Sequence, residues 1–334
     1  MAKARAKPQI QLNGNKLTVF DVVHVGRDKY PVGIADESWE RIRGGRRVLN
    51  RMLESGASAY GVTTGVGSQK NHPLTDDNVD IFNDRLLTSH ATIAGSEVFE
   101  PEVIRAALAV QLNAFATGKP AIREETVKLI LQRLNDNAVP TVTVGGSVGA
   151  SDLVPLAQMG LPLIGKTHPN APKKRGKSPQ RFYPALKLEA KEALSLMNSN
   201  AVSLGQGALT LLKARKMVRS CDLGVCFAME GFRGNISILS QAVLDAHPQS
   251  GQITATKHMR RLLTGSQLWQ EGEARFLQDP LSFRCAPQVQ GASYNVLEWV
   301  WQNWEVEMNT VQDNPVLDTD EDILVSHGNM DSSL

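Results

Sequence analysis

The chain has 334 residues, 42% of them hydrophobic and 21% charged, with a formal net charge of +2. That is enough chain for one large core or two ordinary ones, and the balance excludes a disordered protein. A charge so near neutral argues against a nucleic-acid partner or an anionic membrane surface, and no apolar run reaches the roughly 18–20 residues of a membrane span. Three cysteines, Cys221, Cys226 and Cys285, are too few for a disulfide framework and are not spaced as zinc ligands. A cytoplasmic protein with reduced thiols and no metal is the expectation. The basic start MAKARAKPQIQLNGN lacks the apolar stretch of a signal peptide.

Taken in chain order, residues 8–30 alternate weakly between polar and apolar and predict a short β region. From Glu37 to Gly56, Ile42, Val48, Leu49, Met52 and Leu53 recur at helical spacing, with Gly56 as the stop. AYGVTTGVGSQKNHPL (59–74) reads as an irregular, mobile loop, and a helix over 76–93 carries Ser89 and His90. Two further helices run from Pro101 to Gly118 and from Arg123 to Asn137, the first opening on a proline suited to a first turn.

The stretch PTVTVGGSVGASDLVPLAQMGLPLIG (140–165) stands apart. Gly145, Gly146 and Gly149 let the backbone adopt conformations closed to other residues, and Asp152 sits where an apolar helix starts, an N-cap position for its carboxylate. By itself this is a tight loop between an extended segment and a buried helix. The basic run at 166–184 reads as a solvated loop. Helices follow over about 187–220, 223–246, 253–264 and 288–312. In the last, Val296, Val300, Trp304 and Met308 form one apolar face, expected to be core. With no internal repeat and no strand–helix alternation, the chain reads as mainly α.

GGSVGASDLVPLA resembles the signature of the histidine and aromatic amino acid ammonia-lyases and aminomutases. In that family an Ala-Ser-Gly triplet followed by Asp-Leu cyclises into 4-methylidene-imidazol-5-one (MIO). Ala150, Ser151, Asp152, Leu153, Pro155 and Leu156 follow the pattern, but the glycine between serine and aspartate is absent. YGVTTGVG resembles the loop of the catalytic tyrosine, LLTSHA a segment facing the substrate ring, and KEALSLMNSNA the family's KEGLALxNGT with Ser199-Asn200 in place of Gly-Thr. FLQDPLSFRCAPQVQGA resembles QDxYSxRCxPQ, with Leu281 in place of the tyrosine, and EVEMNTVQDNP also fits, as scaffold. The resemblance spans residues 40–330.

It implies an ammonia-lyase-like (fumarase/aspartase-type) long-helix bundle with an irregular N-terminal active-site region. The expected domains are 1–186, carrying the MIO loop, and 187–334, the central bundle. It implies removal of ammonia from an aromatic or imidazole L-α-amino acid. The β-hydrogen is barely acidic and the amine leaves poorly, so a covalent electrophile is needed. Ala150 would supply the ring carbonyl, Ser151 the methylidene carbon and Asp152 the attacking nitrogen. Tyr60 would remove the β-proton as a phenolate, and Gly67 would let its loop pass close to the substrate. His90 would meet the substrate ring, as in members acting on histidine or tyrosine. Leu153 and Gln278 would line the site, and Asn198 would bond the MIO carbonyl or the substrate. Arg284 would clamp the substrate carboxylate.

The chain stops at HGNMDSSL, near where family members continue, which reads as a truncated or split form complemented by another chain, or as an incomplete site. The resemblance also implies a tetramer whose subunits share the active site, so a homotetramer or a hetero-oligomer with a chain supplying the missing part is expected. Without the resemblance, Tyr60 is a loop aromatic and His90 a satisfied core histidine. Three alternatives stay open: a 2,3-aminomutase on the same substrates, a MIO-less homologue that binds amino acids or complements another subunit, and another reaction on the same scaffold without MIO.

Overall fold

A computed structural model describes residues 7–74, 79–92, 96–167 and 183–328. The basic run 166–184, apart from its two ends, lies outside these residues, as do the first six and last six residues. The chain is mainly α, as its periodicity predicts, and packs into two compact units. The first comprises Met1–Leu209 with Trp304–Leu334 and the second Thr210–Asn303. The boundary expected at residue 186 therefore falls inside the first unit.

The first unit begins with β1 (Ile10–Leu12), helix α1 (Val19–Gly26) and β2 (Val32–Ile34), the two strands pairing in parallel. The β region predicted over 8–30 is thus corrected at its centre. Thr18 and Asp21 close a capping box, and Val19, Val22, Val23 and Val25 are buried. A good cap and a buried face outweigh the strand preference of four valines. Helix α2 (Asp36–Glu54) ends before Gly56, whose φ of +74° makes it the predicted stop. Helices α3 (Val79–His90), α4 (Pro101–Phe115) and α5 (Glu124–Asn135) fall where the periodicity places them.

Helix α4 is buried almost all round, with α1 and α5 packed against it. Arg105, 2% exposed, lies within it; its guanidinium donates to the carbonyls of Val25 (2.9 Å) and Leu134 (2.7 Å). It thereby satisfies a carbonyl at the end of α1 and adds a second donor to the Leu134 carbonyl, which also accepts the Asn137 N–H (3.1 Å). Leu112 is fully buried on α4, and Leu112→Ala is expected to destabilise the protein by about 2–5 kcal/mol in a denaturant melt.

After the glycine loop come α6 (Leu153–Gly160), α7 (Glu192–Met197) and α8 (Ala201–Phe232). The helix predicted over 187–220 is broken at 198–200, where those residues bond to other segments. The break expected near 221 does not occur. Helices α3, α6 and α7 pack on one another. The second unit takes in most of α8, then α9 (Gln241–Ala246), α10 (Ser250–Leu262), α11 (Leu281–Arg284) and most of α12 (Ala286–Glu307). Cys226, Met229, Leu239 and Met259 lie in its core, and buried Asp222 accepts from Tyr294 Oη (2.6 Å) and pairs with His258 (2.7 Å). The strands β3 (Val316–Asp318) and β4 (Ile323–Val325) close the first unit as an antiparallel pair.

The apolar face expected along 288–312 is core only in part. Met308 is fully buried, whereas Val296 is 62% exposed. Trp304 donates from its indole to the Leu204 carbonyl (2.9 Å) and stands where a Cβ on Gly207 would be. Only glycine admits that ring.

Candidate functional site

The site is built on the loop that enters α6. Gly145, Gly146 and Gly149 have φ of +102°, +85° and +79°, and a Cβ on Gly146 would lie 2.5 Å from that of Val154. The loop delivers half-buried Ala150, then Ser151 and Asp152, which are 0% and 1% exposed. Ser151 has φ +94°, a conformation a residue with a Cβ keeps only where its surroundings impose it. Those surroundings are the 198–200 turn. Ser151 Oγ donates to Asn198 Oδ1 (2.8 Å), Ser151 N–H to Asn200 Oδ1 (3.1 Å) and Asp152 N–H to the Ser199 carbonyl (2.8 Å). Two of the three departures from the family pattern, the absent glycine and Ser199-Asn200, are therefore in direct contact. Ser199 Oγ and Asn200 Nδ2 are buried there with no hydrogen-bond partner among the described residues.

Asp152 is the backbone N-cap of α6, but its carboxylate does not cap that helix. It accepts instead from Ser203 N–H (2.7 Å) and Ser203 Oγ (2.7 Å). The negative charge thus sits at the first turn of α8, where free N–H groups and the helix dipole favour it. The expected cap is real but serves the neighbouring helix. Leu153, half-buried, opens α6.

The triplet fits the precursor of MIO. Ser151 is dry, its hydroxyl is held, and the third position needs only a backbone nitrogen. The φ of Asp152, −82°, is one any residue adopts, so the open peptide does not demand glycine at that position. Use of that nitrogen would give up its bond to Ser199, which costs about 1 kcal/mol.

Behind Asn198 lies a charge pair that sequence reasoning did not assign to the site. Asn198 Nδ2 donates to Asp313 Oδ1 (3.3 Å) and to the Asn314 carbonyl (2.7 Å), and Asn200 N–H donates to Gln312 Oε1 (2.8 Å). Asp313 Oδ2 accepts from Ser195 Oγ (2.7 Å) and from Lys191 Nζ, which also donates to Ser195 Oγ (2.9 Å) and the Pro120 carbonyl (3.2 Å). Lys191 is 1% exposed and has φ +74°. Burial pulls its ammonium below the usual lysine range, and Asp313 pulls it back. The sequence signal was present, a lysine at the head of the apolar run EALSLM, but nothing local pairs it with a residue 122 positions away.

Tyr60, half-buried, accepts the Gly67 N–H on its phenol oxygen (3.1 Å). Gly67 has φ +56°, and a Cβ placed on it would meet open space, so glycine is needed there for its conformation rather than for room. The loop is irregular as expected, with a bridge between Thr64 and Pro73. His90 closes α3, and its Nδ1 donates to the Leu86 carbonyl (2.8 Å). That bond selects the tautomer with Nδ1–H, leaving Nε2 as an acceptor. His90 lies two turns beyond Asn83, whose side chain accepts the Ala193 N–H of α7 (3.0 Å). Hydrogen bonds thus join Ser151, Asp152 and Asn198 in one cluster and Tyr60 and Gly67 in another, while His90 Nδ1 bonds within its own helix. Gln278 and Arg284 belong to the second unit. There Gln278 is exposed and Arg284 Nε donates to the Asp279 carbonyl (2.9 Å).

Known proteins share this arrangement of elements. The histidine ammonia-lyase of Caldanaerobacter subterraneus subsp. tengcongensis is 34% identical over 327 residues, covering 96% of this chain and 64% of that relative. Ergothionase from Treponema denticola, solved with desmethyl-ergothioneine sulfonic acid, superposes with a TM-score of 0.86 at 28% identity over 96% of this chain and 65% of its own. Tyrosine aminomutase from Streptomyces globisporus gives 0.88 at 26% identity, over 97% and 66%. The chain thus spans just under two thirds of the length of these proteins, with the mainly α, ammonia-lyase-like fold. The aromatic amino acid lyase profile matches residues 17–333, nearly the whole chain, and the chain belongs to that family.

Proposed function

We propose that this chain acts as a carbon–nitrogen lyase of the ammonia-lyase type on an aromatic or imidazole L-α-amino acid. The observation that carries the reading is the buried Ser151 hydroxyl, presented by the glycine loop and held by Asn198. Ala150, Ser151 and Asp152 are the residues that would form MIO. Closed in this way, the triplet supplies an electrophilic carbon that turns the substrate amine into a leaving group.

The remaining roles fall to side chains. Tyr60 takes the β-proton, with the Gly67 N–H on its oxygen to orient the phenol. His90 offers Nε2 as an acceptor, which suits a substrate ring bearing a donor, an imidazole N–H or a phenol, over an unsubstituted phenyl ring. Asn198 and Leu153 line the approach to Ser151. Arg284, with Gln278, is assigned to the substrate carboxylate, from whichever copy of the chain brings it to the site. A homotetramer, or a complex with a second chain, and a cytoplasmic location belong to the same reading. An aminomutase would share these parts and differ in retaining the acrylate product.

A second reading is favoured by one observation: the Asp152 N–H is already committed to Ser199 and its carboxylate to Ser203. On that reading the peptide stays open and the chain is an amino-acid-binding homologue. Intact mass decides between them. A mature chain about 36 Da lighter than encoded, two waters lost, is expected together with ammonia release from L-histidine or L-tyrosine. The encoded mass would remove the covalent mechanism.

A further inference from the structure

The hydrogen bonds around Ser151 run in one direction through three layers. Donors of the 151–152 segment, Ser151 Oγ, Ser151 N–H and Asp152 N–H, are received by Asn198 Oδ1, Asn200 Oδ1 and the Ser199 carbonyl. Donors of the 198–200 turn, Asn198 Nδ2 and Asn200 N–H, are received by Asp313 Oδ1, the Asn314 carbonyl and Gln312 Oε1. At the base, Lys191 Nζ and Ser195 Oγ donate to Asp313 Oδ2. Both ends of the stack hold a non-glycine residue with positive φ, Ser151 at +94° and Lys191 at +74°. Such conformations persist where surrounding bonds over-determine them.

The direction matters because an asparagine amide is nearly symmetric in shape. Two acceptors behind Asn198 force its NH₂ end toward 313–314, so its oxygen must face Ser151. The Asn314 carbonyl holds the NH₂ end at 2.7 Å whatever stands at 313, and an uncharged group in place of Asp313 removes the second acceptor or sets a donor there, which loosens that orientation. Asp313 can remain a buried carboxylate, 3% exposed, because the ammonium of Lys191 is buried beside it.

We propose that the buried Lys191–Asp313 pair is a positioning unit, which orients Asn198 and the 198–200 turn and through them sets the Ser151 hydroxyl and the backbone of the reactive triplet. Its part in catalysis rests on the lyase reading above; the positioning itself does not. Lys191 and Asp313 touch no reacting atom.

The test uses the full chain and the variants Lys191→Met, Asp313→Asn and the double variant Lys191→Met with Asp313→Leu. Each single variant strands one buried charge or scrambles one acceptor, and lowers the melting temperature. The double variant removes both charges and regains most of that loss. A purely structural pair would then leave the site intact. A positioning pair predicts that amide hydrogen exchange across residues 145–160 stays about tenfold or more faster than in the parent even in the double variant, as expected for lost hydrogen bonds to a charged group. Parent-like exchange there in the double variant overturns the proposal. The intact mass of the parent is read from the same samples. The encoded mass in the parent removes the lyase reading and leaves the exchange result to judge the positioning by itself.

Discussion

Ser151→Ala is expected to abolish ammonia release, with a loss of about 10⁴–10⁶-fold, the range seen when a covalent catalytic group is removed from an enzyme that depends on it. The chain should then carry its encoded mass, since no hydroxyl is left to eliminate. The fold should survive. Ser151 lies in a loop, and its loss leaves Asn198 Oδ1 short of one donor, a cost of about 1–3 kcal/mol for a buried acceptor. A thermal melt shifted by no more than that, beside a dead enzyme, separates chemistry from collapse. A variant that keeps its activity would show that Ser151 is only a residue of the turn, and the covalent mechanism would go with it.

Tyr60→Phe is expected to lower kcat by about 10²–10⁴-fold, the usual contribution of a positioned acid or base. The phenyl ring stays, so its packing stays; the oxygen that accepts the Gly67 N–H is lost. KM should change little if the phenol acts on the proton in the transition state, because an interaction made only there appears in kcat and not in substrate affinity. A rise in KM at constant kcat would instead assign Tyr60 to substrate binding through the shape of its loop.

Much of the helical framework is legible in the sequence. Helices α2, α4 and α5 have apolar positions at helical spacing and clear ends, Gly56 for α2 and Pro101 for α4. The features that mislead are those where a local preference meets a stronger distant partner. The valines of α1 favour a strand, yet Thr18 and Asp21 cap them into a helix that buries them against α4. The sequence 192–204 reads as one unbroken helix, yet Asn198 and Asn200 serve Gln312, Asp313 and Asn314, and the helix stops for three residues. Val296 has the spacing of a core residue and is exposed, because periodicity marks an apolar face without naming what covers it.

By itself the amino-acid order determined the mainly α class and the glycine loop, and its resemblance to the lyase family singled out Ser151, Asn198 and Tyr60 as candidates. Helical periodicity, turn residues and short motifs are all written within a few positions of one another. Tertiary structure alone decided that the Asp152 carboxylate serves α8 rather than α6, that Ser199 and Asn200 hold the segment from which a glycine is missing, and that Lys191 faces Asp313. These are choices among partners 47 to 122 residues apart. Only burial, which penalises every polar group left unpaired, selects among them.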